Sequence, residues 1–169
     1  MNITLVGVAG AGKSYIGKHL AERLGLEFLD VDRMLLEPAH KKPLQQILQE
    51  LGDKKFMQWE ERMMIDATIG KDGLVTATPG SVVYEKAALE HFKNMSKVVY
   101  LQVPFETIEK RVGAPRGIVG LGNKTLRELF DERVPLYEHS ADFTVDTAPR
   151  TLEEVVEAVV AGLGVDKEN

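Results

Sequence analysis

The sequence contains no cysteine, which excludes disulfide staples, cysteine-ligated zinc and thiol chemistry together. Histidine is scarce as well: the four at positions 19, 40, 91 and 139 show no metal-ligand spacing, so any divalent metal is expected to arrive with a ligand. Long apolar runs are missing, none approaching the ~18 residues of a membrane span. The first apolar run starts at residue 3, which leaves no room for a signal peptide and sets the expectation of a cytoplasmic protein. Basic surface is also lacking. The net charge is −5 and adjacent cations occur only as pairs, such as Lys41-Lys42, too short for a nucleic-acid stripe or a membrane-surface patch, so neither partner is expected. Internal repeats, low-complexity tracts and linkers are absent too. With 169 residues, 44% hydrophobic and 28% charged, the expectation is a single domain over 1–169 that acts as a monomer.

Against these absences stands Gly7-Val8-Ala9-Gly10-Ala11-Gly12-Lys13-Ser14, which fills every fixed position of GxxxxGK[ST]. The apolar run Ile3-Thr4-Leu5-Val6 precedes it, and Ile16, Leu20 and Leu24 follow at four-residue intervals, so the motif lies between a buried strand and a helix. A chance glycine-rich turn rarely meets all of those conditions. The chemistry follows from the residue types. Glycines let backbone wrap an oxyanion, and the amides of Gly10, Ala11, Gly12, Lys13, Ser14 and Tyr15 open a helix N-terminus toward phosphates. Lys13 has the length to reach the β- and γ-phosphates, and the Ser14 hydroxyl can hold Mg²⁺. ATP with Mg²⁺ is therefore the expected cofactor.

The rest of the chain alternates strand and helix. Gly25 stops the first helix, and Glu27 to Asp32 reads as a second strand ending in two acids, Asp30 and Asp32, which would project into a crevice at the carboxyl ends of a parallel sheet. The bland alternative is a polar strand end with Asp32 as a helix N-cap. Pro38 and Pro43 bracket a turn. One helix follows with Leu44, Ile47, Leu48 and Leu51 on its apolar face and Gly52 at its end, and another runs from about Asp53 to Ile69. These two helices make an insert over about 33–70, either a site for a second substrate or a plain helical cover. Trp59 reads as core.

Further strands are expected at Leu74 to Thr78, Lys97 to Val103 and Asp142 to Asp146, with helices at Lys86 to Asn94, Phe105 to Val112, around Leu126 to Tyr137 and from the capping box Thr151-Leu152-Glu153-Glu154 onward. Residues 165–169 should fray. The third strand carries no acid at its end, so a metal-holding carboxylate falls to Asp30. Residues 113–122 hold four glycines and one arginine, the composition of a mobile lid over about 113–124 that would bring Arg116 to a transferring phosphoryl group. The fold class is α/β: a doubly wound, five-stranded parallel sheet of the P-loop, nucleoside monophosphate kinase-like kind, with a lid.

Together these residues resemble a shikimate kinase, and the resemblance covers nearly the whole chain. Leu24-Gly25-Leu26-Glu27-Phe28-Leu29-Asp30-Val31-Asp32 is similar to that family's strand-two DxD. Gly52-Asp53-Lys54-Lys55-Phe56 is similar to its "GE..F", Arg116 falls where its lid arginine sits, and Arg133-Val134-Pro135-Leu136-Tyr137 to its "RxPLY". The resemblance implies Asp30 on the Mg²⁺ side, Asp32 on an acceptor hydroxyl, Arg133 and the backbone at Gly80 on the acceptor, and Lys110, Arg111 and Pro149 around the adenine. Two departures fall on the acceptor side. Met57 stands where the family has an arginine that clamps the substrate carboxylate, and Thr78-Pro79-Gly80 replaces a triple glycine, with no amide at Pro79. A lost charge-assisted hydrogen bond costs about 1.5–3 kcal/mol. Met57, Met63 and Met64 suggest an acceptor pocket that is more apolar or better filled.

The expected activity is ATP-dependent phosphoryl transfer to a hydroxyl of a small molecule, with Lys13, Asp32 and Arg116 as catalytic residues and an acceptor changed from shikimate. The alternatives are a genuine shikimate kinase, a nucleoside monophosphate kinase, and a nucleotide-binding protein without turnover. The insert offers only Arg33 and Arg62 to grip a second phosphate, which weakens the nucleoside monophosphate kinase reading.

Overall fold

The computed structural model describes residues 1–112 and 117–165. Arg116, the lid positions 113–115 beside it, and the last four residues, 166–169, lie outside the described residues.

Strand β1 (Ile3–Val6) leads through the P-loop into α1 (Lys13–Leu24). Next come β2 (Glu27–Asp30), a π-helical turn over Val31–Leu36, α2 (Glu37–His40), α3 (Leu44–Leu51) and α4 (Asp53–Thr68). The chain continues with β3 (Leu74–Ala77), a 3₁₀ turn over Gly80–Tyr84, α5 (Lys86–Met95), β4 (Lys97–Gln102) and α6 (Phe105–Arg111). It closes with α7 (Leu126–Ser140), β5 (Phe143–Asp146) and α8 (Leu152–Gly162). All strand pairs are parallel, in the order β2-β3-β1-β4-β5. The chain winds to one side of β1 through β2 and β3, then crosses to the other through β4 and β5. The reversal at β1 opens a crevice at the carboxyl end of that strand, the place where ligands lie in open α/β sheets.

Strand alternation explains how runs that read as continuously apolar fill two layers. Ile3, Leu5, Val99 and Leu101 face a core built with Leu20 of α1 and Val155, Val156 and Val159 of α8. Val6, Val98 and Tyr100 face the opposite core, which includes Phe56 and Met64 of α4, Phe92 of α5 and Tyr137 of α7. Gly25 takes the left-handed conformation (φ 67°) and its amide closes the end of α1 on the carbonyls of Ala21 and Glu22. The Thr151–Glu154 capping box opens α8 as the spacing requires, and Thr125–Glu128 forms a second one at α7 that the sequence reading passed over. Trp59 packs against the core, edge-on to His40 and Phe56.

The expected strand to Asp32 is a correction. The ladder of β2 ends at Asp30↔Ala77, while Thr78 stays bonded to β1 on the other side, donating to the Leu5 carbonyl through both its amide (3.2 Å) and its hydroxyl (2.8 Å). Val31 thus has no strand beside it, and the chain coils at once into the π turn. Asp30, not Asp32, is its N-cap: the Asp30 carboxylate accepts from the Arg33 amide at 3.1 Å. The expected turn between Pro38 and Pro43 is preceded by the short helix α2. No helix among the described residues is long and apolar enough to cross a membrane.

Candidate active site

The P-loop leaves its helix N-terminus uncapped. Gly12 is the N-cap, no side chain accepts from the first amides of α1, and no acid stands in the first turn. Four donors therefore remain for an oxyanion, with the helix dipole behind them. Gly10 (φ 85°) and Gly12 (φ 90°) hold left-handed conformations that side chains resist. The Ala11 amide closes the loop on the Val8 carbonyl at 3.1 Å. Lys13 folds back along the loop and donates to the carbonyls of Gly7 (2.6 Å) and Val8 (2.8 Å). Burial lowers its pKa to about 8, with Asp32 pulling it back up and Arg133 pressing it down.

Asp30 and Asp32 approach Lys13 from the end of β2 and the first turn after it. Asp30 is buried, and Arg33 lies 4.0 Å from its second oxygen. Asp32 keeps one oxygen, Oδ1, buried with no hydrogen-bond partner among the described residues. Burial pushes its carboxyl up to about 7, helped by Glu60 and opposed by Lys13.

A cleft of about 1500 Å³ joins these groups. Gly10 to Tyr15, Asp30, Asp32, Gly80, Arg111 and Arg133 all line it, and Arg111 donates to the Gly10 carbonyl at 3.0 Å. Two expected adenine neighbours do not. Lys110 points outward on α6, and Pro149 stands apart although Thr147, Arg150 and Thr151 line the cleft. Met57 is elsewhere too: it lines a second cavity of about 460 Å³ with Lys54, Tyr84 and Glu85. Helical geometry is the reason. Phe56, Glu60 and Met64 are four residues apart and turn inward together, which carries Met57 round to the next face. Met64 fills the core and Met63 packs against it, so neither lines the cleft.

The end of the cleft around Arg133 is assembled from distant segments. Arg133 of α7 is 3% exposed. Its Nη2 donates to the Val119 carbonyl at 2.5 Å, its Cζ sits 5.2 Å from the centre of the Tyr84 ring, and its Nε is buried without a partner among the described residues. Gly80 is pinched between elements. A Cβ there would lie 3.3 Å from both the Ala9 amide nitrogen and Arg133 Nη1, and Tyr137 donates to its carbonyl at 2.5 Å. Of the described part of the expected lid, 117–124, the first four residues rest on the insert helices. A Cβ on Gly117 would meet Leu44 at 2.8 Å, Ile118 and Val119 are buried, and the Gly120 amide donates to Asp53 at 3.2 Å. Sequence reading missed Glu60, a wholly buried acid on this wall whose Oε1 accepts from the Ser81 hydroxyl. Its signal was present: position 60 lies on the apolar stripe marked by 56 and 64.

The geometry has counterparts among known proteins. A model of the family described as shikimate kinase matches residues 9–163. A shikimate kinase of Persephonella marina is 32% identical over 161 residues, covering 94% of this chain and 96% of its own, and one of Pseudoalteromonas atlantica is 37% identical over 166 residues, covering 94% of each. The solved shikimate kinase from Acinetobacter baumannii in complex with shikimate superposes with a TM-score of 0.86 at 31% identity, covering 99% of this chain and 95% of that one. From inside the P-loop to the end of α8, in sequence and in fold, the chain belongs to the shikimate kinase family.

Proposed function

We propose that the protein transfers the γ-phosphoryl group of ATP to a hydroxyl of a small molecule, and that this acceptor is not shikimate. The observation that carries the reading is the convergence of Lys13, Asp30 and the unpartnered Asp32 Oδ1 on one cleft. Family membership supports a small-molecule kinase.

The residues present fit the nucleotide and its metal. An uncapped helix N-terminus, a loop that turns through left-handed Gly10 and Gly12, and a buried ammonium suit a triphosphate. The hard oxygens of Ser14 and Asp30 suit Mg²⁺, which usually takes one or two protein ligands beside phosphates. Bound there, Mg²⁺ would supply neutralisation of charge on the transferring phosphoryl group. Lys13 would stabilise the same charge from the loop. Asp32 would receive the acceptor hydroxyl as a hydrogen-bond donor, and a carboxyl that ionises at about 7 can take up its proton near neutrality. Arg116 stays in the proposal as the lid cation. Single-domain organisation with the insert over about 33–70 as acceptor region and about 113–124 as lid, monomeric action, a cytoplasmic setting and no nucleic-acid partner belong to the same reading, the last supported by the net charge of −5.

The acceptor end argues against shikimate. Arg133 is the cation available there, its Nη2 is committed to Val119, and Met57 supplies neither charge nor a wall of the cleft. The second reading is shikimate itself. Arg133 does line the cleft, and the fold matches that of a shikimate complex closely. Nothing comparable favours a nucleoside monophosphate kinase, since Arg33 lines the cleft but Arg62 does not. ADP release from Mg-ATP, measured with shikimate and with a panel of carboxylate-free polyols and amino alcohols, separates the readings. Stimulation by a panel member and not by shikimate is expected; stimulation by shikimate alone would establish the second reading.

A further inference from the structure

A buried arginine keeps one posture only where its neighbours hold it, because ordering so long a side chain costs rotamer freedom. Arg133 is 3% exposed and lines the cleft, yet no acid among the described residues forms an ion pair with it. Two neutral contacts hold it instead. Its Nη2 donates to the Val119 carbonyl at 2.5 Å, and its Cζ stands over the Tyr84 ring, 5.2 Å from the centre. A guanidinium donates in its plane and stacks on its face, so the carbonyl fixes one edge and the ring resists tilting. Nη1 is left beside Gly80, where a Cβ would come within 3.3 Å of it.

Tyr84 is itself anchored. It ends the 3₁₀ turn that starts at Gly80, so the ring under Arg133 and the backbone beside Nη1 belong to one short segment. Its hydroxyl donates to Glu132 Oε2 at 2.7 Å, and Lys124 grips both oxygens of Glu132 at 2.8 and 2.9 Å. Glu132 precedes Arg133 on α7, and Lys124 lies just ahead of that helix's N-cap, Thr125. Ring, acid and lysine thus tie the 3₁₀ turn to the start of α7. Tyr84 lines the second cavity and not the cleft, so it reaches a ligand in the cleft only through Arg133. A second pair of the same kind shows the contrast. Arg127 lies 4.6 Å from the centre of the Phe105 ring, but it is exposed, ion-paired with Asp131 and away from the cleft. Contacts between a cation and a ring strengthen where water is excluded, and of the two arginines Arg133 alone is buried.

We propose that Tyr84 is a positioning residue of the acceptor site: its ring, anchored through Glu132 and Lys124, fixes the Arg133 guanidinium at the cleft and so sets the affinity for the acceptor. This rests on the kinase reading of the cleft. Arg133 touches the acceptor, and Tyr84 decides where the donors of Arg133 stand when the acceptor arrives. Because that contact is made before transfer as well as during it, the effect falls on KM and not on kcat.

Two measurements on the full chain test this. The first needs no acceptor: the heteronuclear NOE of the assigned Arg133 Nε–Hε pair, read by NMR. It should be that of a rigid group in wild type and in Y84F, which keeps the ring, and should fall clearly in Y84L. E132A should lie between them. Glu132 and Lys124 form a half-exposed ion pair whose loss costs the fold little, so E132A decides the matter if Y84L does not fold. An unchanged NOE in both Y84L and E132A would overturn the positioning role. The second measurement follows ADP release with whichever of shikimate and the polyol and amino-alcohol panel stimulates wild type most. Y84L should raise the KM for that acceptor about tenfold, with kcat and the KM for ATP within about twofold, and Y84F should bring it back to within about threefold of wild type. Equal rises in the two KM values would mark a general structural loss and overturn the proposal. The expected NOE series in a protein that neither shikimate nor any panel member stimulates would sink the kinase reading alone, with the Tyr84–Arg133 coupling upheld.

Discussion

The two ends of the cleft are built by different means. The end proposed for the nucleotide comes from one contiguous run, Gly7 to Ser14, whose geometry is set by backbone: left-handed glycines, an uncapped helix start, and a lysine bonded to carbonyls of its own loop. The end proposed for the acceptor is assembled, largely by side chains, from five segments that meet only in the folded chain: Asp32 after β2, Glu60 on α4, the Gly80 backbone after β3, the Val119 carbonyl ahead of α7 and Arg133 on α7. A backbone site carries its function through sequence change, because amides survive substitution. A side-chain site changes its ligand with single residues, and of the two departures that the resemblance implies, Thr78-Pro79-Gly80 lines the cleft while Met57 lines the second cavity.

If the ends are separable, variants should separate them. The largest effect is expected from Lys13→Ala, which should lower kcat about a thousandfold by removing charge stabilisation of the transferring group; steady-state ADP release reads it, and an active K13A would break the comparison at its firmer end. Asp32→Asn comes next, about a hundredfold in kcat, while calorimetry should find ATP affinity little changed because the nucleotide end is intact. A matching loss of ATP affinity would mean that Asp32 serves the nucleotide instead.

How far the sequence carried depended on whether the determinants were local. The strand, loop and helix around the P-loop were legible since every signal lies within about two dozen residues. The order of elements was legible from periodicity. Strand ends were not: Asp32 was placed on β2, but β2 stops at Asp30, the last residue paired with β3, whose carboxylate caps the π turn by accepting from the Arg33 amide. Glu60 stood on a readable stripe. Glu85 had no signal, because its burial comes from the start of α5 docking on α4 through Glu61. Met57 had the right position in the chain and the wrong face of the helix.

Gly80→Ala sharpens the comparison further. A methyl group 3.3 Å from Ala9 and Arg133 should push the acceptor end out of place, costing about 1–3 kcal/mol of stability and raising the acceptor KM more than that for ATP. Chemical denaturation together with KM values for both substrates checks it; equal rises in the two KM values would tie the ends together.

A further expectation is a pH dependence. Asp32 is raised from 3.8 to about 7, and Glu60 and Glu85 lie above 4.5 in the fold. Between those unfolded and folded values the native state holds protons that the unfolded chain has released, so these groups stabilise the fold at acid pH and that stability is lost as pH rises toward and through neutrality. Each such proton contributes about 1.4 kcal/mol per pH unit. Denaturant midpoints from pH 5 to 8 should fall less steeply in E60Q/E85Q than in wild type, and parallel slopes would show that burial raises neither carboxyl.

The most direct test of a kept nucleotide end beside a changed acceptor end is ADP release under saturating Mg-ATP, with and without millimolar shikimate. The account predicts a slow basal rate that K13A abolishes and shikimate leaves unchanged. Saturable stimulation by shikimate would contradict it, showing that Arg133 alone can hold the carboxylate and that both ends serve the family's usual substrate.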